Sequence, residues 1–244
     1  MTAAVVAILA LATLIRSAFG FGEALIAVPL LALLIPVNVA APTAALISIT
    51  VAAVVVVQDW SEIDRPAALR LVASTLFGIP FGLLMLTRVP ETIVKALLGV
   101  IIVAFALFSL ARHHEPRFQD DRLAWIFGFA AGVLGGAYGM NGPPLVVYGV
   151  LRGWSPKQFR ATLQGYFLPA SSVGMAGYAL AGLWTPVVTR YFLIALPAAA
   201  LAIVAGRRIH RRMQAQQFFR YIYVGLACVG LVLIAQAAQH LMSP

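Results

Sequence analysis

Only two of the first 58 residues carry charge, Arg16 and Glu23. An arginine in apolar surroundings can hold an anion through its fork of N–H donors, and a glutamate there can take up and release a proton. The plainer alternatives are a mutual ion pair, or an Arg16 that reaches out to an interface. Both residues flank a glycine-rich interruption, "SAFGFGEALIAVPLL" (17–31). A second interruption, "GVLGGAYGMNGPPLV" (132–146), carries no charge but holds Tyr138 and Asn141. The candidate ligand-binding residues are therefore Arg16, Gly20, Phe21 and Gly22 at the first interruption. At the second they are Gly135, Gly136, Tyr138, Asn141 and Gly142, with Gln164 added from a later apolar segment. Glu23 is the candidate carrier of a coupling proton.

Other chemistries lack their residues. There is no HExxH, no GxSxG and no Cys–His pair, so an enzyme is not expected. No phosphate-cradling GxxxxGK[ST] is present, no cofactor is expected, and His113 and His114 have too few neighbouring ligands for a metal site. The single cysteine, Cys228, excludes an intrachain disulfide and reads as a small buried residue.

These residues must be positioned by something apolar. The chain has 244 residues, of which 62% are hydrophobic and 10% charged, against about 25% charged in a soluble domain. Uncharged runs span residues 24–58, 123–151, 161–189 and 221–244. About 18 such residues suffice for a membrane-spanning helix. The chain reads as an all-α polytopic membrane protein. Its net charge of +9 lies in loops beside apolar runs, which points to membrane topology rather than nucleic acid. No Lys or Arg precedes the apolar run at Ala3, so residues 1–15 read as part of the fold rather than a signal peptide.

Ten apolar segments follow, at about 2–15, 24–37, 39–58, 66–87, 92–111, 123–134, 143–151, 159–183, 186–206 and 218–239. The first, second, sixth and seventh are short, and each short pair brackets one interruption. Set side by side, Gly20 meets Gly135 and Pro29 meets Pro144, each at an offset of 115 residues. The order short, short, long, long, long recurs. The expected organisation is a first repeat over 1–111, a charged linker over 112–122 and a second repeat over 123–244. If each short pair enters and returns, 13 Lys and Arg residues fall on one side and 3 on the other. If each pair instead crosses once, the division is 6 against 10. The positive-inside rule favours the first arrangement. Each half then makes an odd number of crossings. The repeats are inverted, each a short-helix hairpin with a Gly-rich break plus three long transmembrane helices. Both termini fall on the non-cytoplasmic side, and the linker is cytoplasmic.

Broken backbone at membrane depth is tolerated only where protein buries it or a wet cavity meets it. Paired breaks in inverted repeats are the expected look of a midplane substrate site, with helix N-termini aimed at an anion. Gly78, Gly82, Gly99 and Gly225 read instead as helix-packing contacts. Gln164, Tyr166, Ser171 and Ser172 in the eighth segment, and Ser48 and Thr50 in the third, either line the cavity or bond back to their own helices.

The strings "GFGEALIAVPLL" and "GVLGGAYGMNGPPLVVYG" resemble the twin glycine-rich, proline-ending motifs of the sulfite exporter TauE/SafE family. The resemblance extends over nearly the whole chain. It implies a bacterial cytoplasmic-membrane permease for sulfur-containing anions such as sulfite, sulfoacetate or other organosulfonates. The chain departs from the family where many members carry further glycines, having Glu23 and Ala24 there. The expected partners are the small anion and the lipid bilayer, with a homodimer one option for assembly and no nucleic acid. A passive anion channel and a carrier of a different small anion remain open beside the exporter reading.

Overall fold

The computed structural model describes residues 2–59, 62–111, 122–210 and 215–242. The charged stretch 112–121 with His113 and His114, Trp60, and the surroundings of Gly225 lie outside the described residues. Among those described there are ten helices and no strand: α1 (Thr2–Phe19), α2 (Glu23–Ala32), α3 (Val37–Asp59), α4 (Arg65–Arg88), α5 (Glu91–Ala111), α6 (Leu123–Tyr138), α7 (Gly142–Leu151), α8 (Pro156–Leu180), α9 (Pro186–His210) and α10 (Ala215–Met242). All ten expected segments are present. Four helices among the described residues, α3, α4, α5 and α9, are long and apolar enough to cross a membrane. At 10 residues each, α2 and α7 reach only about 15 Å, half the ~30 Å of hydrocarbon.

Polarity is distributed as lipid requires. Large apolar side chains face outward, among them Leu69, Phe77, Ile126 and Leu201, each more than 60% exposed. A water-soluble monomer rarely leaves so many uncovered. The buried interior holds Arg16, Glu23, Ser48, Thr75, Asn141 and Gln164 instead. Cys228 lies on the outside of α10, not in the interior as its position suggested. A small apolar side chain is at ease in lipid, so nothing drives it inward.

Close backbone approach holds the helices together. Along α6, Gly128, Gly132 and Gly136 recur every fourth residue and face α4, Gly128 at Leu71 and Ser74, Gly132 at Thr75 and Gly78, and Gly136 at Ile79 and Leu83. Gly78 lies against residues 129–133 and Gly82 against 133–137, so α4 and α6 run parallel. A Cβ on Gly82 would stand 2.6 Å from the amide nitrogen of Ala137. Small residues permit this fit, which stands in for the hydrophobic drive that lipid cannot supply. Thr75 adds a hydrogen bond to the Gly128 carbonyl at 2.8 Å, and Ser74 donates to the Trp125 carbonyl.

The remaining contacts repeat this design. α1 packs on α9, where a Cβ on Gly206 would come 2.8 Å from the Leu14 carbonyl. Gly99 of α5 faces Gly230 and Ile234 of α10, while Val103, one turn on, faces Gly230; the two helices are antiparallel. Gly99 thus packs as expected, with Gly230 as its partner. α3 and α8 meet at the centre, also antiparallel: Ser48 faces Ser171, and the backbone N–H of Asp64, in the connection from α3 to α4, donates to Thr162 Oγ1 near the start of α8.

The breaks fall at residues 20–22 and 139–141. Gly142 against Glu23, and Pro156 against Val37, both give an offset of 119 residues, so the alignment at 115 is one helical turn out of step. Matching the prolines caused the slip. Pro144 sits in the first turn of α7, whereas Pro29 lies well inside α2.

Candidate functional site

α1 continues past Arg16 to Phe19, so the arginine stands on the last turn of a helix rather than inside the break. Its carbonyl receives the Gly20 N–H at 2.6 Å. Gly20 and Gly22 then take φ of +89° and +99°, a backbone that other residues rarely adopt. This reverses the chain and sets Glu23 as the first residue of α2. The two ionisable side chains are thereby folded onto one another. Arg16 Nη1 pairs with the Glu23 carboxylate and donates to Ser48 Oγ at 2.6 Å, and Nη2 donates to Gln164 Oε1 at 2.8 Å. The guanidinium lies 4.9 Å above the Phe167 ring. Thr13 donates to the other Glu23 oxygen at 3.1 Å. Gln164 Nε2 donates to the Gly20 carbonyl at 2.5 Å, satisfying a group that the break leaves without a helical partner. Arg16 and Glu23 are both at most 3% exposed.

The second break is uncharged. α6 ends at Tyr138 and is capped by Gly139, with φ of +64°, whose N–H donates to the Gly135 carbonyl at 2.8 Å. Asn141 Nδ2 donates to the Ala131 carbonyl at 3.1 Å and to the Tyr166 hydroxyl at 3.4 Å. The Tyr166 hydroxyl is 2.6 Å from Thr75 Oγ1. This buried chain ties the break to α4, α6 and α8.

A cleft opens where the breaks meet, lined by Arg16, Phe21, Gly22, Glu23, Ala24, Leu25, Ser48, Gly139, Asn141, Gly142 and Phe167. Its volume is about 20 Å³, room for about one water molecule. The lining brings together Arg16, Phe21, Gly22, Glu23, Asn141 and Gly142 from the residues singled out in the sequence. Gln164 and Gly20 stand immediately behind them. Gly135 forms a shoulder, packed on the Asn141 side chain and accepting the Tyr178 hydroxyl at 2.7 Å. Gly136 and Tyr138 are not brought to the cleft. Gly136 packs on α4 at Ile79, and the Tyr138 hydroxyl donates to the Val94 carbonyl at 2.9 Å. Of the flanking hydroxyls, Ser48 and Ser171 face inward, whereas Thr50 and Ser172 bond to carbonyls one turn back. Sequence reading missed Thr13 and Phe167. Helical spacing was the available signal, since each lies one turn from a singled-out residue, Arg16 or Gln164.

The two helix N-termini differ in what they offer. The helical ladder of α2 begins with the Ile26 N–H to the Gly22 carbonyl at 3.1 Å, leaving the amides of Glu23, Ala24 and Leu25 at the cleft without ladder acceptors. In α7 the corresponding residues are Gly142, Pro143 and Pro144, and proline has no N–H. Free donors, helix dipole and the buried guanidinium of Arg16 therefore converge on the first break. Arg16 Nε has no hydrogen-bond partner among the described residues. Among those residues no three of His, Cys, Asp and Glu gather as metal ligands would.

Replacing Tyr166 by Phe is expected to lower stability by about 1–2 kcal/mol, because Asn141 and Thr75 lose a shared buried partner. Thermal unfolding of the purified variant measures this. A melting temperature equal to that of the parent would show that the chain of hydroxyls does not hold the second break.

The chain is similar to the probable sulfite/organosulfonate exporter TauE of Cupriavidus necator, with 29% identity over 152 residues. That stretch is 62% of this chain and 58% of the relative, so the chain covers less than two thirds of the relative's length. No solved structure matches it. A family model described as Sulfite exporter TauE/SafE matches residues 5–233, a span that takes in both breaks and every helix at least in part. The chain belongs to the sulfite exporter TauE/SafE family.

Proposed function

We propose that this protein is a secondary transporter that exports small sulfur-containing anions, such as sulfite or organosulfonates, across the bacterial cytoplasmic membrane. The carrying observation is the buried Arg16 beside the free first-turn amides of α2, set between two breaks in a lipid-facing bundle. An anion is what those donors and that charge attract. The name of the relative from Cupriavidus necator supports sulfite or an organosulfonate as the cargo.

The movement follows from the repeats. Equivalent helices of the two halves, α3 with α8 and α5 with α10, pack antiparallel, which supports inverted repeats over 1–111 and 123–244 joined by the 112–122 linker. In that arrangement one repeat rocks against the other around a midplane site, with both termini on the non-cytoplasmic side. A cleft with room for about one water molecule must widen to pass an oxyanion, as alternating access requires. Arg16, Gly20, Phe21, Gly22, Asn141, Gly142 and Gln164 form the substrate seat, and Glu23 carries a coupling proton.

Isotope flux into proteoliposomes tests this reading with sulfite, sulfoacetate and phosphate. Gradient-driven accumulation of a sulfur oxyanion is expected. Dissipative flux alone would mark a passive channel, and no flux for any sulfur oxyanion would remove the substrate class. With Glu23 as the proton carrier, wild-type flux falls as pH rises and the carboxyl stays ionised. Glu23→Gln is expected to flatten that profile, and an unchanged profile would remove the coupling role.

A further inference from the structure

We infer that the Glu23 carboxylate is a tethered occupant of the anion seat, so that an incoming anion binds by displacing it from Arg16. This rests on the reading of the first break as an anion site, and it names what regulates that site. Two features at the break attract negative charge: the Arg16 guanidinium and the free N-terminal amides of α2. One carboxylate answers both, because Glu23 is at once the ion-pair partner of Arg16 and the first residue of α2. A further donor on Nη1 is turned to Ser48 and one on Nη2 to Gln164, and Nε meets no acceptor among the described residues.

The groups packed around Glu23 cannot replace it as anions. Thr13 and Arg16 from α1 contact it directly, while Ser48 from α3, Gln164 and Phe167 from α8 and Asn141 from the second break surround the pair or line the same cleft. Only Arg16 among them is charged, and it is cationic. The seat is neutral as it stands, one guanidinium against one carboxylate. A bound monoanion keeps it neutral only when the carboxylate leaves or takes up a proton, and a buried seat of excess charge is strongly disfavoured. The carboxylate thus competes with every substrate anion, and the apparent affinity is lowered by the fraction of time it occupies the seat.

The test is anion-dependent thermal unfolding of the detergent-purified full chain at pH 8, with formate as probe and chloride at equal ionic strength as control. Formate carries the carboxylate group that Glu23→Gly removes. Without formate, the E23G protein is expected to melt below the wild type. With saturating formate it should regain on the order of 5 °C, while the wild type stays unmoved. Arg16→Gln added to E23G should abolish the response. Sulfite should bind E23G on the order of tenfold more tightly than wild type.

The inference is overturned if wild type and E23G respond alike to formate, if E23G shows no response, or if E23G cannot be recovered folded even with formate present throughout. Glu23→Gln, which keeps the side-chain volume, should show little formate response; a response equal to that of E23G would also overturn it. Formate contains no sulfur, so the two readings fail separately. Formate rescue without flux of any sulfur oxyanion removes the proposed cargo and leaves the tethered carboxylate standing. Sulfur-anion flux without formate rescue removes the tethered carboxylate alone.

Discussion

Arg16→Gln lowers anion flux about a hundredfold or more in proteoliposomes and lowers stability by about 3–5 kcal/mol; both effects are expected from one lost charge. A charge-assisted hydrogen bond contributes about 1.5–3 kcal/mol, and a bound anion would lose at least one such bond together with the only buried cation at the cleft among the described residues. The stability effect has a separate origin. Removing one member of a buried ion pair strands the other, and breaking such pairs costs about 3–5 kcal/mol. Glu23 would be left in a site whose other neighbours are hydroxyls, amides and an aromatic ring. The double variant Arg16→Gln, Glu23→Gln separates the two effects. It replaces the pair with neutral side chains of similar shape, so the melting temperature should largely recover while flux stays lost. Wild-type flux from the single Arg16→Gln variant would sink the anion-seat reading.

Gly82→Leu gives the largest purely structural effect. The α4–α6 contact is a parallel row of small residues in which backbone meets backbone, with Gly82 against residues 133–137. A new side chain there meets main-chain atoms that cannot rotate away, unlike the tip of a flexible side chain. Overpacking in ordinary cores costs about 1–3 kcal/mol, and this contact should reach at least the top of that range. The separation of α4 from α6 also sets Thr75 under Tyr166 and so the hold on Asn141. Little folded protein is expected, with early melting of what is recovered. Gly174→Ala is the control, because a Cβ there meets nothing within 4 Å. A Gly82→Leu protein that melts with the parent would show the contact to be looser than described.

Particular residues show how far the sequence could be read. The ten apolar runs became ten helices, and both glycine-rich interruptions became breaks. Their positions shifted, because α6 runs through Gly135 and Gly136 before turning at Gly139. Glycines that open a helix and glycines that pack it are the same residue. Which is which depends on the neighbour each one meets. Gly136 and Tyr138 meet other helices, while Gly142 faces the cleft. The helix N-termini at both breaks were expected to face an anion, yet Pro143 and Pro144 remove two of the donors that α7 would need. The donors belong to α2, whose sequence "GFGEAL" has no proline in the first turn.

By itself the sequence determined what local energetics control. Long uncharged runs must be helical in lipid, because only there does each N–H and C=O find a partner within its own segment. The two glycine-rich strings mark where helices break to within about a turn, and loop cations give an expectation of topology. The tertiary structure decided which side chains meet. Arg16 reaches Gln164 across 148 residues of sequence, and Ser48 reaches Ser171 across 123. Those meetings depend on helix rotation and on the close approach of α3 to α8, which arise from packing among all the helices together. The pairing of Arg16 with Glu23 needed only a tight turn and was open to a reader of the sequence. Its enclosure by Ser48, Gln164 and Phe167 was set by the fold.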